Sequence, residues 1–118
     1  MGMPVAAEFV SFCYRKPDPD NLGKLLTEDI RINGTTSSDK KDLVEIISNP
    51  FSYGENKIFP WRIESVSYQP DNQNRSVKVE ISIQSAESAK TRRSLILIHK
   101  LFFEDDKICR IDSQCQTG

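Results

Sequence analysis

Residues 92–115, RRSLILIHKLFFEDDKICRIDSQC, decide the fold of this chain. The stretch predicts a long strand over 94–103, a tight acidic turn over 104–107 and a shorter returning strand. Side chains alternate along a strand, so one face of the long strand carries Leu95, Leu97, His99, Leu101 and Phe103. The opposite face carries Ile96, Ile98, Lys100 and Phe102. Both faces are largely apolar, which is typical of a strand that is buried on both sides.

The size and charge of the chain limit the kinds of protein it can be. Its 118 residues fit one domain, so we predict a single domain over 1–118, with 1–3 as an artificial or disordered start. Sixteen Lys and Arg residues nearly cancel 17 Asp and Glu residues. No field of one sign is present to gather polyphosphate or anionic lipid, and we expect no nucleic-acid and no membrane partner.

The cysteines and the single histidine exclude the common metal sites. Cys13, Cys109 and Cys115 are an odd number without C-x-x-C spacing, and His99 adds only one further ligand. We therefore expect reduced thiols, no metal and no cofactor. The amino end lacks the features of a signal peptide and no run is long enough for a membrane span, so a cytoplasmic or nuclear location is expected.

The amino-terminal half reads as helices around one short strand. Residues 4–15 carry apolar side chains at helical spacing, and Pro17 ends that helix. A helical piece over 21–26 and a strand over 27–34 follow. Asp39 is predicted to cap a further helix. Its buried stripe is predicted to be Leu43, Val44, Ile46 and Ile47.

Residues 51–60 form a loop rich in aromatic and turn residues, and strands follow over 61–69 and 77–83. The aromatic residues predicted to line or cover a cavity are Tyr14, Tyr53, Phe59, Trp61 and Tyr68. Ordinary aromatic packing under a long loop is the open alternative. Helices first and antiparallel strands afterwards predict an α+β fold: a curved, mainly antiparallel sheet of four to six strands wrapped around two or three helices.

The order of the elements is joined by three local signatures: LTEDIRI at 26–32, SVSYQP at 65–70 and HKLFFEDDKI at 99–108. With them, the chain resembles the nuclear transport factor 2-like superfamily. The resemblance implies a cone-shaped fold. It leaves two branches open: transport factors, which bind protein partners, and SnoaL-like or ketosteroid isomerase-like proteins, which include enzymes.

Two departures separate the chain from the transport branch. Where that branch has Phe-x-Gln-x-Phe in its penultimate strand, this chain has Leu97-x-His99-x-Leu101, and Gln114 and Gln116 replace an expected Asp and Phe. The resemblance therefore lends little support to binding of the GTPase Ran or of phenylalanine-glycine repeats.

Two functions fit these observations. The first is a non-enzymatic binding module, a homodimer joined through the sheet face of Ile96, Ile98, Lys100 and Phe102, which recruits a protein or peptide for transport or scaffolding. The second is a small-molecule enzyme or carrier that holds a small apolar ligand in the cavity of the cone. There Asp29 and His99 would act as acid and base, although each also suits a structural role. The first is preferred, because few polar residues are available for catalysis.

Overall fold

The predicted hairpin lies at the centre of a five-stranded sheet in the computed structural model, which describes residues 2–32, 39–48, 61–86 and 92–117. Four strands pair antiparallel in chain order: β2 (Trp61–Asp71), β3 (Ser76–Ala86), β4 (Arg92–Glu104) and β5 (Lys107–Thr117). The first strand, β1 (Leu26–Ile32), adds to β5 in parallel, which gives the order β1-β5-β4-β3-β2. The predicted α+β class and the mainly antiparallel sheet are confirmed.

The amino-terminal helix runs as predicted but widens in its last turn. Helix α1 spans Met3–Val10 and continues as a π-helical turn over Ser11–Arg15, which stops before Pro17. Helix α2 spans Pro19–Lys24, and the Asp18 carboxylate caps it by accepting a hydrogen bond from the Asn21 amide at 3.1 Å.

Helix α3 spans Lys40–Ile47 and begins at the predicted cap, since the Asp39 carboxylate accepts a hydrogen bond from the Lys41 amide at 3.0 Å. Leu43 and Val44 are buried as predicted. Ile46 is not, because 37% of it is exposed. Each helical residue turns about 100°, which carries Ile46 past the edge of the stripe formed by Leu43, Val44 and Ile47.

The helices pack on one face of the sheet, which we call the inner face and which carries Leu97, His99 and Leu101. The core is the apolar contact between this face and the helices. Its buried members are Ala6, Phe9, Val10, Cys13, Leu22, Leu26, Ile30, Leu43, Val44, Val77, Val79, Ile81, Ile83, Leu101, Ile108 and Ile111. The predicted alternation of β3 is therefore confirmed, with its Val and Ile side chains inside.

The opposite, outer face carries the other side chains of β4. Ile96, Ile98, Lys100 and Phe102 are all partly exposed there. The Lys100 ammonium and the Arg110 guanidinium lie over the Phe102 ring, 5.3 and 5.1 Å from its centroid. On the outer face, polar side chains of β3 and β5 lie on either side of this stripe. The inner face of β4 packs against helices, so the two faces of this strand lie in different surroundings. No helix within the described residues is long and apolar enough to cross a membrane.

Candidate functional site

His99 lies on the inner face at the middle of β4, between two leucines, and makes two polar contacts. Its Nε2 is hydrogen-bonded to the Tyr14 hydroxyl, and its Nδ1 lies 2.7 Å from the Ser113 Oγ. The Phe9 ring meets the imidazole edge-on, with ring centroids 5.6 Å apart. We call the three hydrogen-bonded residues, Tyr14, His99 and Ser113, the Tyr14–His99–Ser113 group. It joins a helix and two strands, and its neighbours on the inner face of β4 are Leu97 and Leu101.

Tyr14 reaches the imidazole because the helix widens before it ends. In the π-helical turn the Lys16 amide donates to the Ser11 carbonyl at 2.8 Å, five residues back. The Asp18 amide then donates to the Phe12 carbonyl at 3.1 Å. Such turns place one extra residue in a helix and are frequent at functional sites. Here the turn directs Tyr14 at a residue 85 positions away in the chain.

Ser113 reaches the imidazole because of an irregularity in the returning strand. Next to the turn, Glu104 pairs with Lys107, and an unbroken hairpin from that pair would put Asp112 opposite His99. The register shifts by one residue after Phe103, at Cys109, so Ser113 takes that position. Asp112 is thereby left on the outer face, where its carboxylate pairs with the Arg110 guanidinium at 3.0 Å. The bulge thus gives the histidine a neutral partner instead of a charged one.

The group is uncharged near neutral pH. Burial lowers the pKa of His99 to about 4, because the imidazolium would lose its hydration without gaining a counter-ion. Burial also raises the pKa of Tyr14 well above its usual range, and Cys13 and Cys115 add to that rise. Four paired rows of β2, β3 and β4 lie on the inner face, from Ile63–Ile83–Leu95 to Pro70–Val77–Leu101, and none of them contains Asp, Glu, Lys or Arg. These rows offer no counter-charge to a charged ligand.

The inner face is sealed on one side of the group and accessible on the other. Leu101 and Ile111, towards the β4–β5 turn, are 0% and 1% exposed. In the opposite direction Leu97 and Leu95 are partly exposed and Cys115 is exposed. The polar group therefore stands where the closed core gives way to accessible apolar surface, an arrangement that suits an apolar ligand with one polar anchor.

The predicted site residues are only partly brought together. Tyr14 and His99 meet, and Tyr68 lies on the inner face of β2, packed against the core. Asp29 is exposed on β1, and no contact among the described residues joins it to His99. Trp61 begins β2, but its side chain lies outside the described part of the structure, as do Tyr53 and Phe59.

Ser113 was not anticipated from the sequence. The signal that could have found it is the pairing of the hairpin, since the residue opposite a buried histidine is its natural hydrogen-bond partner. Counting back from the turn selects Asp112, however, and the bulge at Cys109 is needed to reach Ser113.

A cleft of about 830 Å³ lies between the start of α1 and the β2–β3 and β4–β5 turns. Its acidic residues Asp105 and Asp106 are exposed, and the Asp71 carboxylate is used within its own turn, where it accepts from the Gln73 and Asn74 amides. In the described residues no group of three or more His, Cys, Asp and Glu side chains is placed to hold a metal ion. Among the described residues, the cleft therefore brings together no set of side chains suited to catalysis or to binding a metal ion.

Comparison with known proteins identifies the fold. A protein from Anabaena variabilis described as NTF2-like is 14% identical, with a TM-score of 0.70 over 99% of this chain and 90% of that one. A protein from Xanthomonas campestris named as a candidate polyketide cyclase is 10% identical, with a TM-score of 0.69 over 95% of this chain and 87% of that one. No family model and no curated protein matches the sequence.

A third similar structure shows what this likeness does not carry. It is a de novo designed protein with a curved β-sheet, 18% identical, with a TM-score of 0.62 over 97% of this chain and 84% of that one. A designed scaffold can share this architecture without any inherited activity, so the likeness establishes the fold and not a function. The chain has the nuclear transport factor 2-like fold, as its sequence resemblance implied.

Proposed function

We propose that this chain, a protein with the nuclear transport factor 2-like fold, binds a small, uncharged and largely apolar molecule on the inner face of its sheet. The observation that carries the proposal is the Tyr14–His99–Ser113 group, a polar anchor beside the accessible Leu95 and Leu97. Apolar walls with a few convergent polar groups are the usual composition of a small-molecule site. The candidate polyketide cyclase among the similar structures supports this reading over a protein-recruiting module.

Binding, rather than proton transfer, is the role we propose for His99. A general base works best with a pKa near the working pH, whereas burial lowers the pKa of His99 to about 4. Its hydrogen-bond partners are two neutral hydroxyls, and none of the described residues brings a carboxylate to the imidazole that could stabilise an imidazolium. The group is therefore better suited to orienting a ligand than to abstracting a proton from it.

Adjacent residues of β4 supply a matched pair of variants for the test. Leu97 faces inward and Ile98 outward, and both are partly exposed. Titration with the uncharged apolar fluorophore N-phenyl-1-naphthylamine should show saturable binding to the native chain. We expect Leu97→Lys to weaken it at least tenfold and Ile98→Lys to leave it within twofold, with circular dichroism confirming the fold of both. Absence of saturable binding, or loss only in Ile98→Lys, would overturn the proposal.

For the outer face we propose the homodimer contact expected from the sequence. Its apolar stripe of Ile96, Ile98 and Phe102 is left partly exposed in the isolated chain. Such a stripe is stabilised when a second copy covers it. Light scattering at micromolar concentration should give twice the chain mass for the native protein and the monomer mass for Ile98→Lys. A native monomer would remove this second proposal and leave the first intact.

A further inference from the structure

The Tyr14–His99–Ser113 group permits two directions of hydrogen bonding, and they offer opposite chemistry to a ligand. A neutral imidazole has one N–H donor and one acceptor nitrogen. If Tyr14 donates to Nε2, then Nδ1–H donates to the Ser113 Oγ and the serine hydrogen is free to point at a ligand. If Ser113 donates to Nδ1 instead, then Nε2–H donates to the Tyr14 oxygen and the serine can only accept.

The chemistry of the two hydroxyls selects the first direction. A phenol, with a pKa near 10, is far more acidic than an alkyl alcohol and is the better donor. Its oxygen is also the poorer acceptor, because one lone pair is delocalised into the ring. The arrangement that gives both nitrogens their stronger partners has Tyr14 donating and Ser113 accepting.

Ser113 is also placed to use its free hydrogen. It lies on the inner face between the sealed Ile111 and the exposed Cys115, and it is itself only partly buried. Among the described residues, the imidazole is its one side-chain hydrogen-bond partner. Its remaining hydrogen-bonding direction is therefore open to the accessible part of the interior.

We infer that Ser113 is the hydrogen-bond donor that this site offers its ligand, and that Tyr14, acting through His99, is the positioning residue that sets this role. The inference rests on the proposed function and narrows it. The ligand class is a neutral apolar molecule with a carbonyl oxygen, such as a ketone or an ester. A ligand whose polar atom is only a donor would be disfavoured.

The direction of hydrogen bonding can be measured without any ligand. His99 is the single histidine of the chain, so a ¹⁵N spectrum of the imidazole needs no assignment. At pH 7 we expect the tautomer with hydrogen on Nδ1, shown by a pyrrole-type Nδ1 and a pyridine-type Nε2. In Tyr14→Phe the Nε2 loses its donor, so a share of the other tautomer should appear. A native protein with hydrogen on Nε2, or on both nitrogens, would overturn the inference.

The donor role is tested with two ligands of one shape, 2-acetylnaphthalene and 2-ethylnaphthalene, which differ in the carbonyl oxygen. One hydrogen bond should make the native chain bind the ketone about threefold to tenfold more tightly. Ser113→Ala should abolish that preference. Ser82→Ala, a partly buried serine on the outer face of β3, should retain it.

The outcomes separate the two proposals. Equal affinity of the native chain for both naphthalenes, or a preference that survives in Ser113→Ala, overturns the donor role while the proposed function stands. Binding of neither compound to the native chain, in a titration where N-phenyl-1-naphthylamine also fails, overturns both.

Discussion

The two faces of β4 are close in composition and opposite in surroundings. The inner face has Leu95, Leu97 and Leu101 around a histidine, and the outer face has two isoleucines and a phenylalanine around a lysine. The helices of the described part of the chain cover only the inner face, so Leu101 is 0% exposed whereas Ile98 stays partly exposed. The polar residue follows the same division: His99 is tied into the interior, and Lys100 lies over an aromatic ring at the surface. Apolar content alone therefore does not say which face is the core.

The largest expected difference between the faces is in core packing. Leu101→Ala should lower the free energy of unfolding by about 4 kcal/mol, because it leaves a cavity among fully buried neighbours. Ile98→Ala should cost about 1 kcal/mol, since that side chain keeps solvent contact. Urea denaturation at low protein concentration measures both. Equal losses would mean that the outer face is as buried as the core, as in a dimer that persists at that concentration.

The second difference is in the response to acid, to which only the inner face contributes a histidine. The unfolded chain takes up a proton near pH 6.5, whereas folded His99 takes it up only near pH 4. Between these pH values the unfolded state binds more protons than the folded state. The free energy of unfolding therefore keeps its full value, as far as His99 contributes, above pH 6.5 and falls as the pH drops towards 4. The loss should reach about 2 to 3 kcal/mol, less than the full shift implies because the ring keeps some solvent access.

His99→Gln supplies the control for this pH dependence. The variant removes the one histidine, so its stability should stay nearly constant from pH 6.5 to 4.5. The pKa values of Asp18 and Asp71 lie below their usual range, and their contributions are lost only at lower pH. A slope that persists in His99→Gln would assign the acid sensitivity to other groups.

The third comparison is between two tyrosines whose side chains both lie in the interior, one hydrogen-bonded to His99 and one packed against the core. Tyr14→Phe removes the hydroxyl bonded to His99 and leaves a ring nitrogen without its partner, which should cost about 1 to 2 kcal/mol. Tyr68→Phe should change the free energy of unfolding by less than about 0.5 kcal/mol, because Tyr68 packs against the core and no hydrogen bond joins its hydroxyl to another described residue. Thermal melts of the two variants, compared with the native chain, distinguish these values. A loss for Tyr14→Phe that is no larger than the loss for Tyr68→Phe would show that the Tyr14 contact contributes little.

The smallest effect is expected at the outer-face ion pairs. The Lys78 ammonium lies 3.2 Å from the Glu80 carboxylate, and both side chains are 42% exposed. Lys78→Ala should therefore change the free energy of unfolding by less than about 0.5 kcal/mol, and by less still in high salt. Chemical denaturation at two salt concentrations tests this. A loss above about 1 kcal/mol would indicate that the pair is shielded from solvent in an assembly.

The sequence predicted the elements well, because alternation and capping are local. The period of two in β3, the cap at Asp39 and the stop at Pro17 are each visible within a few residues and are each confirmed. The buried position of Ile46 was predicted wrongly because a helix of two turns buries a narrower stripe than its apolar residues suggest.

The candidate site was predictable only in part, because it depends on pairings between distant residues. His99 was singled out as a residue with a period-two apolar face, but that pattern fits either side of the sheet. Its contact with Tyr14 spans 85 positions and depends on a turn wider than an α-helix. The position of Ser113 opposite His99 depends on a bulge that no short sequence motif predicts. Asp29 was considered for its chemistry, and the structure places it in an exposed position on β1.

Because of the bulge at Cys109, the number of residues between the β4–β5 turn and Ser113 decides which side chains of β5 face the interior. Each residue after it takes the face that an unbroken hairpin would give to its neighbour, as Ser113 and Asp112 show. The π-helical turn that contains Tyr14 is an insertion of the same kind. A substitution changes the partners of His99 one at a time, whereas deletion of Cys109 would bring the Asp112 carboxylate opposite His99 and would reverse the face of every later residue of β5. In related chains, one-residue gaps at these two places would therefore mark a change in the surroundings of His99.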